Sequence, residues 1–433
     1  VKTIQVGILG LGTVGGGVVR LLQENGPMID ARLGARLQVK RIARRRPDAP
    51  APVAVDPALL TADPLEVIRD PAIQIVVELI GGTEEARRYS LEALRAGKHL
   101  VTANKALLAT HGLEIYRAAA ERKLDLGFEA AVCAGIPIIR ALRDGLVANR
   151  IRSLLGIING TANYILTKMT EQGRPFAEVL AEAQAKGYAE ADPTLDVGGH
   201  DAAHKLQILA SIAYNTFIEL PQVPVEGIAG IDPSDIRYAR ELGYVVKLLA
   251  IAKLADGELE VRVSPTLIPE DHLLASVRGV YNGVYLVGDA VGPQMFYGRG
   301  AGQMPTASAV VSDIVEIAAN ILAERPSRQA TLHRPGVQAE LALKPLQEIR
   351  TRYYLRVMVT DKPGVLSKVS GVLGNHNVSI ASVIQKARHA QEGVPIVMMT
   401  HEAREGDLRA ALAGIDRLDV VSAQTICLRV EEP

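Results

Sequence analysis

Asp201 and Lys205 stand four residues apart in DVGGHDAAHKLQILA, where an apolar run with helical spacing begins. One turn of helix puts the carboxylate and the ammonium on the same face, within reach of one small molecule. A lysine so placed can take a proton from an alcohol or return one to an alkoxide. On spacing alone the pair also reads, more simply, as a surface ion pair contributing about 0.3 kcal/mol. His200 and His204 flank it, and with no second cluster at ligand spacing they read as helix-face or cap residues. Cys133 has no readable His or Asp partner and reads as a small buried residue rather than a nucleophile.

A second constellation lies about half a chain away, near the N-terminus. Gly10-Leu-Gly12-Thr-Val-Gly15 follows the apolar run Thr3–Leu9 directly and opens a helix. In this context Gly10 allows a tight turn, Gly12 lets backbone approach a pyrophosphate, and Gly15 lets helix and strand pack closely. The helix N-terminus then faces the phosphates, so the loop is expected to bind a dinucleotide. An NAD site usually carries an acid at the end of the second strand, to hold the ribose hydroxyls. Here Arg44-Arg45-Arg46 occupies that place, with no acid before Asp48. Arg44 and Arg45 can meet a 2′-phosphate, which favours NADP and leaves NAD open; a solvated basic turn is the alternative.

The elements that must position these residues fall into three blocks. Residues 1–130 alternate strands (Thr3–Leu9, Leu37–Ala43, Ile73–Ile80, His99–Thr102, Leu124–Glu129) with helices, and Gly97 ends the helix from Glu84 to Ala96. That alternation predicts a doubly wound, Rossmann-type parallel sheet. Lys105 follows the strand His99–Thr102, beyond whose carboxyl end ligands bind in such sheets. Residues 131–323 read as an α+β catalytic and dimerisation domain. Its expected helices are Pro137–Leu146, Ala162–Thr170, Phe176–Lys186, Asp201–Ala213 and Ser234–Leu254. Its expected strands are Ile151–Ile158, Glu258–Ile268 and a meander over Val280–Tyr297 with turns at Asn282-Gly283 and Gly288-Asp289. The helix Thr306–Ala323 is expected to return to the first domain. Residues 324–352, broken by Pro326, Pro335 and Pro345, read as a linker. Residues 353–433 follow the order βαββαβ, a ferredoxin-like motif.

Composition narrows the function. The 433 residues carry 48 basic and 48 acidic side chains, so charge gives no reason to expect a nucleic acid. Tryptophan is absent and aromatics make up 4%, which argues against base-stacking platforms. Apolar runs short of a membrane span, an N-terminus without signal-peptide character and only two cysteines together lead us to expect a cytoplasmic protein.

The segments TANKALL, LGIINGTANYIL, AKGYAEADPTLDVGGHDAAHKLQIL and YGRGAGQMPTASAVVSDI, in this order, resemble the homoserine dehydrogenase family over essentially the whole chain. Residues 353–433 resemble an ACT regulatory domain, with Asp361-Lys-Pro-Gly-Val-Leu as its first strand-to-helix turn. The resemblance implies NAD(P)-dependent interconversion of L-homoserine and L-aspartate 4-semialdehyde, a step of threonine and methionine synthesis. Under it Lys205 matches the acid–base lysine, and Lys105 the lysine beside nicotinamide and substrate. Glu190 and Asp201 match the carboxylates that hold homoserine, with Gly160, Thr161, Tyr188 and Asp196 on the same substrate side. Thr13, Val14, Gly187, Glu190 and Gly302 match positions near the dinucleotide, and the turn Gly81-Gly82-Thr83 lines that cleft. An acid–base lysine must titrate below the ordinary value of about 10.4, which burial or the charge of Lys105 would bring about. Asp201 alone would act the other way, so it better serves the substrate ammonium.

The resemblance also implies a monovalent-cation loop, with sodium the expected ion, formed by Glu129 and the carbonyls of Val132, Ala134 and Ile136. Hard oxygen donors on a tight loop suit such an ion. Cys133 departs from the small residue often found there, and a structural turn opening the Pro137 helix is the alternative. In the C-terminal block, Asp361, Gly364, Asn375 and Asn377 are the expected contacts for an effector, with L-threonine the expected one; a purely structural dimerisation module is the alternative. A homodimer, or a tetramer built from it, is expected. Two other readings compete: a different amino-acid dehydrogenase with the same loop, and a non-enzymatic sensor that kept the fold. Nothing in a generic Rossmann fold requires NGTANYIL or GYAEADP, which sets aside the first, and the intact lysines and carboxylates disfavour the second.

Overall fold

The structure, a computed structural model, describes residues 2–325, 341–385 and 393–432. They form two compact units that each gather several stretches of chain: 1–152, 203–223 and 282–340 in the first, 153–202, 224–281 and 341–433 in the second.

The first unit is built on a six-stranded parallel sheet. Its strands run Leu60–Thr61, Arg36–Ala43, Thr3–Leu9, Ile75–Glu78, His99–Thr102 and Leu126–Gly127 across the sheet. Strand order reverses between Thr3–Leu9 and Ile75–Glu78, so the crevice beyond their carboxyl ends is the switch point where such folds bind ligands. Ile4, Val6, Ile8, Ile75 and Val77 are buried against Val18 and Val19 of the helix Thr13–Leu33. The helix Gln303–Leu322 returns to this core and adds Ala307, Val310, Val311 and Ile314. Full burial of each such Val or Ile contributes about 1.5–3 kcal/mol, enough to hold a helix that arrives from far along the chain. Gly17 makes room for it: a Cβ there would lie 2.9 Å from Gln303 Cγ and 3.0 Å from Ala307 Cβ. Among the described residues Gln303–Leu322 is the one helix long and apolar enough to cross a membrane, and half of it is buried in this unit.

The second unit is organised by a mixed sheet. Strands Ile151–Ile157, Tyr244–Ala255, Glu258–Pro269, Ile426–Val430, Arg350–Val359, Val394–Thr400 and Ile380–Gln385 are successive neighbours. The last four reproduce the ferredoxin-like order, with helices Val365–Asn375 and Glu405–Ile415 packed on them. This C-terminal module is continuous with the sheet before it: Ile426–Val430 pairs parallel with Glu258–Pro269, Arg429 opposite Thr266 and Val430 opposite Leu267.

Four element expectations need correction. Ser234–Leu254 is not one helix; it is a helix Pro233–Glu241 and a strand Tyr244–Ala255. Gly243, at φ +83°, ends the helix, and β-branched and apolar residues continue as a strand paired along its whole length with Glu258–Pro269. Asn282-Gly283 lies inside the strand Tyr281–Gly288 rather than at a turn. The expected helix Pro137–Leu146 is one short α-turn, Ile138–Arg140, followed by a π-helical turn over Ala141–Gly145. Leu124–Glu129 shrinks to the two-residue strand Leu126–Gly127, with a 3-10 turn at Glu129–Ala131. Of the expected linker, residues 326–340 lie outside the described residues, and Ala342–Leu343 pairs with Glu258–Leu259.

Candidate active site

In the first unit the glycine loop sits at the switch point. Gly10 has φ +102°, and a Cβ there would lie 2.5 Å from the Leu79 carbonyl oxygen. A Cβ on Gly15 would lie 2.1 Å from the Gly10 carbonyl oxygen. Gly12 differs: its Cβ position is open to 4 Å, leaving its backbone accessible at the head of the helix that Thr13 and Val14 begin. A polyanion can therefore meet the helix N-terminus directly. Gly10, Gly12, Arg44, Arg45 and Gly81 line one cleft of about 540 Å³. Arg44 donates to the Ala49 and Pro50 carbonyls at 2.9 and 3.3 Å, whereas the Arg45 side chain is 92% exposed at the rim. Gly302, at φ +122°, caps the returning helix, whose Gln303 donates to the Thr13 carbonyl at 3.1 Å.

A buried polar chain supports the far wall. Glu78 ends the strand Ile75–Glu78 and is fully buried. Its carboxylate accepts from the Thr102 hydroxyl at 2.7 Å and from the Ile80 amide at 2.9 Å. Burial pushes its pKa up, against those hydrogen bonds. Thr102 Oγ1 accepts from the Asn104 amide at 3.0 Å. Asn104 caps the helix Lys105–Glu121 through the Leu107 amide at 3.1 Å and donates to the Gly82 carbonyl at 2.7 Å. Gly82, with φ +70°, and Thr83 lead into the helix Glu84–Arg95, and Lys105 is the first residue of its own helix.

The expected substrate residues come together in the second unit. Asn159 Nδ2 donates to Asp196 Oδ1 at 2.7 Å and to Asp201 Oδ2 at 2.8 Å. One amide thus holds two carboxylates, while Asn159 Oδ1 accepts from the Ala162 amide at 2.7 Å and caps the helix Gly160–Gln172. Thr161 donates to the Tyr188 carbonyl at 2.6 Å, and the Tyr188 ring packs on Tyr164 with centroids 4.9 Å apart. Gly187, at φ +71°, ends the helix Phe176–Ala185, and Gln184 holds the Glu190 carbonyl at 3.0 Å. Asp201 and Lys205 lie on one helix, His200–Ala213, at 8% and 9% exposure. At that burial they are not the exposed surface pair that spacing alone allows.

The proposed cation loop lies in the first unit. Glu129 is buried, and its two carboxylate oxygens accept from the Ile139 and Arg140 amides at 2.9 and 2.8 Å. Burial raises its pKa. Asp313, pushed up to about 7 chiefly by burial, accepts from the Glu129 amide at 2.9 Å. Cys133 holds φ +48°, a conformation that favours glycine, which accounts for small residues at such a place. Among the described residues no three His, Cys, Asp or Glu side chains are grouped to hold a metal ion, so a cation here would need carbonyl oxygens beside Glu129.

Sequence reasoning missed Asn159, Glu78 and Asp313. Asn159 was legible only as the head of a turn, since nothing in spacing marks an amide shared by two acids. Glu78 did leave a signal: a lone carboxylate closing an otherwise apolar buried strand.

Comparison with known proteins places this arrangement. Residues 10–129 match the family model of the homoserine dehydrogenase NAD-binding domain, 137–315 that of homoserine dehydrogenase, and 353–419 that of the ACT domain. A homoserine dehydrogenase of Pseudomonas aeruginosa is 46% identical over 433 residues, 100% of this chain and 99% of that one. The chain belongs to the homoserine dehydrogenase family. It is accordingly an NAD(P)-dependent oxidoreductase with a C-terminal ACT domain. The crystal structure of a homoserine dehydrogenase from Thiobacillus denitrificans superposes with a TM-score of 0.92 at 46% identity, covering 100% of this chain and 99% of that one. A hyperthermophilic archaeal homoserine dehydrogenase, solved with NADPH, gives 0.61 at 25% identity over 75% of this chain and 99% of its own.

Proposed function

We propose that Lys205 is the general acid/base of the homoserine dehydrogenase reaction and that Asp201, Asp196 and Glu190 hold the amino-acid end of homoserine. The observation that carries this is the Asn159 clamp: two carboxylates fixed by one neutral amide form a ready seat for an ammonium. Asn159 itself brings no charge to the pair. A bound nicotinamide cofactor supplies the hydride acceptor. In the oxidative direction the carbinol C–H leaves as hydride, and the hydroxyl proton passes to Lys205 Nζ. In reduction Lys205 returns that proton to the new alkoxide. Lys105, whose helix start is held by the Glu78–Thr102–Asn104 chain, is proposed to orient the substrate oxygen.

Arg45 and Arg44 support NADP as the preferred cofactor, Arg45 contributing an exposed guanidinium at the cleft rim. Glu129 and the Val132, Ala134 and Ile136 carbonyls are proposed to hold a monovalent cation such as sodium. In the ACT domain, Gly364 at φ +86° caps the helix Val365–Asn375, and Asn377 follows at φ +58°. Asp361, Gly364, Asn375 and Asn377 are proposed to receive L-threonine, and the assembly to be a homodimer or homotetramer.

One assay tests the chemistry: the NADP-linked absorbance change with L-homoserine. Lys205→Ala is expected to lower kcat by about 10²–10⁴-fold. Asp201→Asn should act mainly on the homoserine KM. Unchanged turnover in Lys205→Ala would remove its role. Repeating the assay with NAD, and with millimolar threonine, decides cofactor preference and feedback.

A further inference from the structure

The C-terminal module reaches the substrate carboxylates through a traceable set of contacts inside the second unit. Arg429, on its last strand, is 3% exposed. Its guanidinium holds Glu405 at 2.7 and 2.9 Å and Glu226 at 2.9 and 3.0 Å. Glu405 belongs to the same module and is also held by Tyr353 Oη at 2.9 Å and Arg409 Nε at 2.7 Å. Glu226 does not belong to it: it lies on the segment 224–228, which runs beside the strand Glu258–Pro269. There the Glu226 amide donates to the Val263 carbonyl at 2.8 Å, and the Val263 amide to the Pro224 carbonyl at 2.9 Å.

That segment seats the turn between the two substrate acids. The Ile228 amide donates to the Val197 carbonyl at 2.8 Å. A Cβ on Gly227 would lie 2.5 Å from the same carbonyl and 2.8 Å from Gly198 Cα. A Cβ on Gly199 would lie 3.0 Å from Val225 Cγ1 and 3.3 Å from the Glu226 carbonyl oxygen. The turn is therefore in backbone contact with Glu226 and its neighbours, with no flexible side chain between to absorb a shift. Its ends carry Asp196, whose carbonyl accepts from the Gly199 amide at 3.1 Å, and Asp201.

We infer that Arg429 and Glu226 are positioning residues: the ion pair fixes the 224–228 segment, and so sets where Asp196 and Asp201 stand for homoserine. Neither touches substrate or cofactor; they act through the Val197–Gly199 turn. The chemical consequence is selective. Moving that turn changes how the amino-acid end is held, and none of these contacts involves the glycine loop. It also gives an amino acid bound in the ACT domain a physical route to the substrate carboxylates, since a shift of the last strand moves Arg429 directly. The inference rests on the reading of Asp201 as a substrate carboxylate, and its test separates the two.

The measurement is steady-state kinetics on the full chain with Glu226→Gln, Arg429→Lys, the double variant and Asp201→Asn. Glu226→Gln removes the charge at a residue that is 39% exposed, so the fold should survive it. It is expected to raise the homoserine KM about three- to tenfold, with the NADP KM unchanged. Arg429→Lys should raise it less, and the double variant should fall short of the product of the two. A merely structural pair would lower the melting temperature and leave the ratio of the two KM values as in the wild type; that result overturns the inference. If Asp201→Asn leaves homoserine binding intact, the substrate reading fails first. If Asp201→Asn weakens binding and Glu226→Gln does not, the carboxylate reading stands and the positioning role falls.

Discussion

Single side chains in this molecule divide by whether their charge has a partner. Asp196 and Asp201 share an amide, and Arg429 shares two carboxylates. Lys247 is the contrasting case. It is 2% exposed, and its ammonium donates to the Val277 carbonyl at 2.5 Å and to Asn163 Oδ1 at 3.3 Å, both uncharged. Burial, reinforced by nearby Arg278, lowers its pKa to about 8 from an ordinary 10.5. Below about pH 8 both folded and unfolded chains hold the proton, and the folded state bears the full cost of a buried charge. Between 8 and 10.5 the unfolded chain holds more protons than the folded one, so stability from this group rises with pH. The gain across that window is on the order of 3 kcal/mol at most. Lys247→Met lacks this proton linkage. Denaturant titrations at pH 7.5 and 10 should therefore show wild-type stability gaining on the variant at the higher pH; parallel behaviour would mean that Lys247 titrates normally in the fold.

At the scale of elements, the glycine loop is the part whose geometry is least tolerant. Gly15→Ala would put a methyl 2.1 Å from the Gly10 carbonyl oxygen, and backbone cannot rotate away as a side chain can. The helix Thr13–Leu33 must then lift from the strand Thr3–Leu9. The expected outcome is loss of NADP binding by at least tenfold, read by fluorescence titration, with the second unit's ordered core retained. Binding within twofold of wild type would show that the helix does not need its close approach. The loop could be read from sequence because local rules specify it: a strand, three glycines and a helix in register. The same holds for the helix end at Gly187 and for the ferredoxin-like order of the last block. The segment 234–254 failed for the opposite reason. Its apolar run suits either periodicity, and the pairing of Tyr244–Ala255 with Glu258–Pro269 decides it, a contact that no local pattern contains. Asn159 and Glu226 escaped notice likewise, since each acts on residues brought to it by the fold.

For the molecule as a whole, the C-terminal module looks in sequence like an attachment after a linker, yet two buried charges of the second unit and a half-buried one depend on it. Arg262, 1% exposed, donates to Glu431 at 2.8 Å. Asp235, fully buried, accepts from Arg356 at 2.6 and 2.9 Å and from Tyr354 Oη at 2.9 Å. Lys253 pairs with Glu431 as well. Deleting residues 341–433 would leave Arg262 with Glu260 and the Ser264 hydroxyl but without Glu431, Asp235 without its arginine, and the Thr266–Leu267 stretch without its parallel neighbour. Removing one partner of a buried pair typically costs about 3–5 kcal/mol, and two such losses approach the whole stability of a domain. An unpaired strand edge adds a template for association. The truncated chain is therefore expected to elute as aggregate in size-exclusion chromatography or to melt well below the full chain. Arg262→Met with Asp235→Asn, made in the truncated chain, should recover part of the loss by removing the stranded charges, whereas in the full chain the same pair of changes should destabilise, since they break Arg262–Glu431 and weaken Asp235–Arg356. A truncated chain that melts cooperatively at the full-length temperature would show that the shared sheet and its ion pairs contribute no stability, and would reduce the ACT module to an independent passenger.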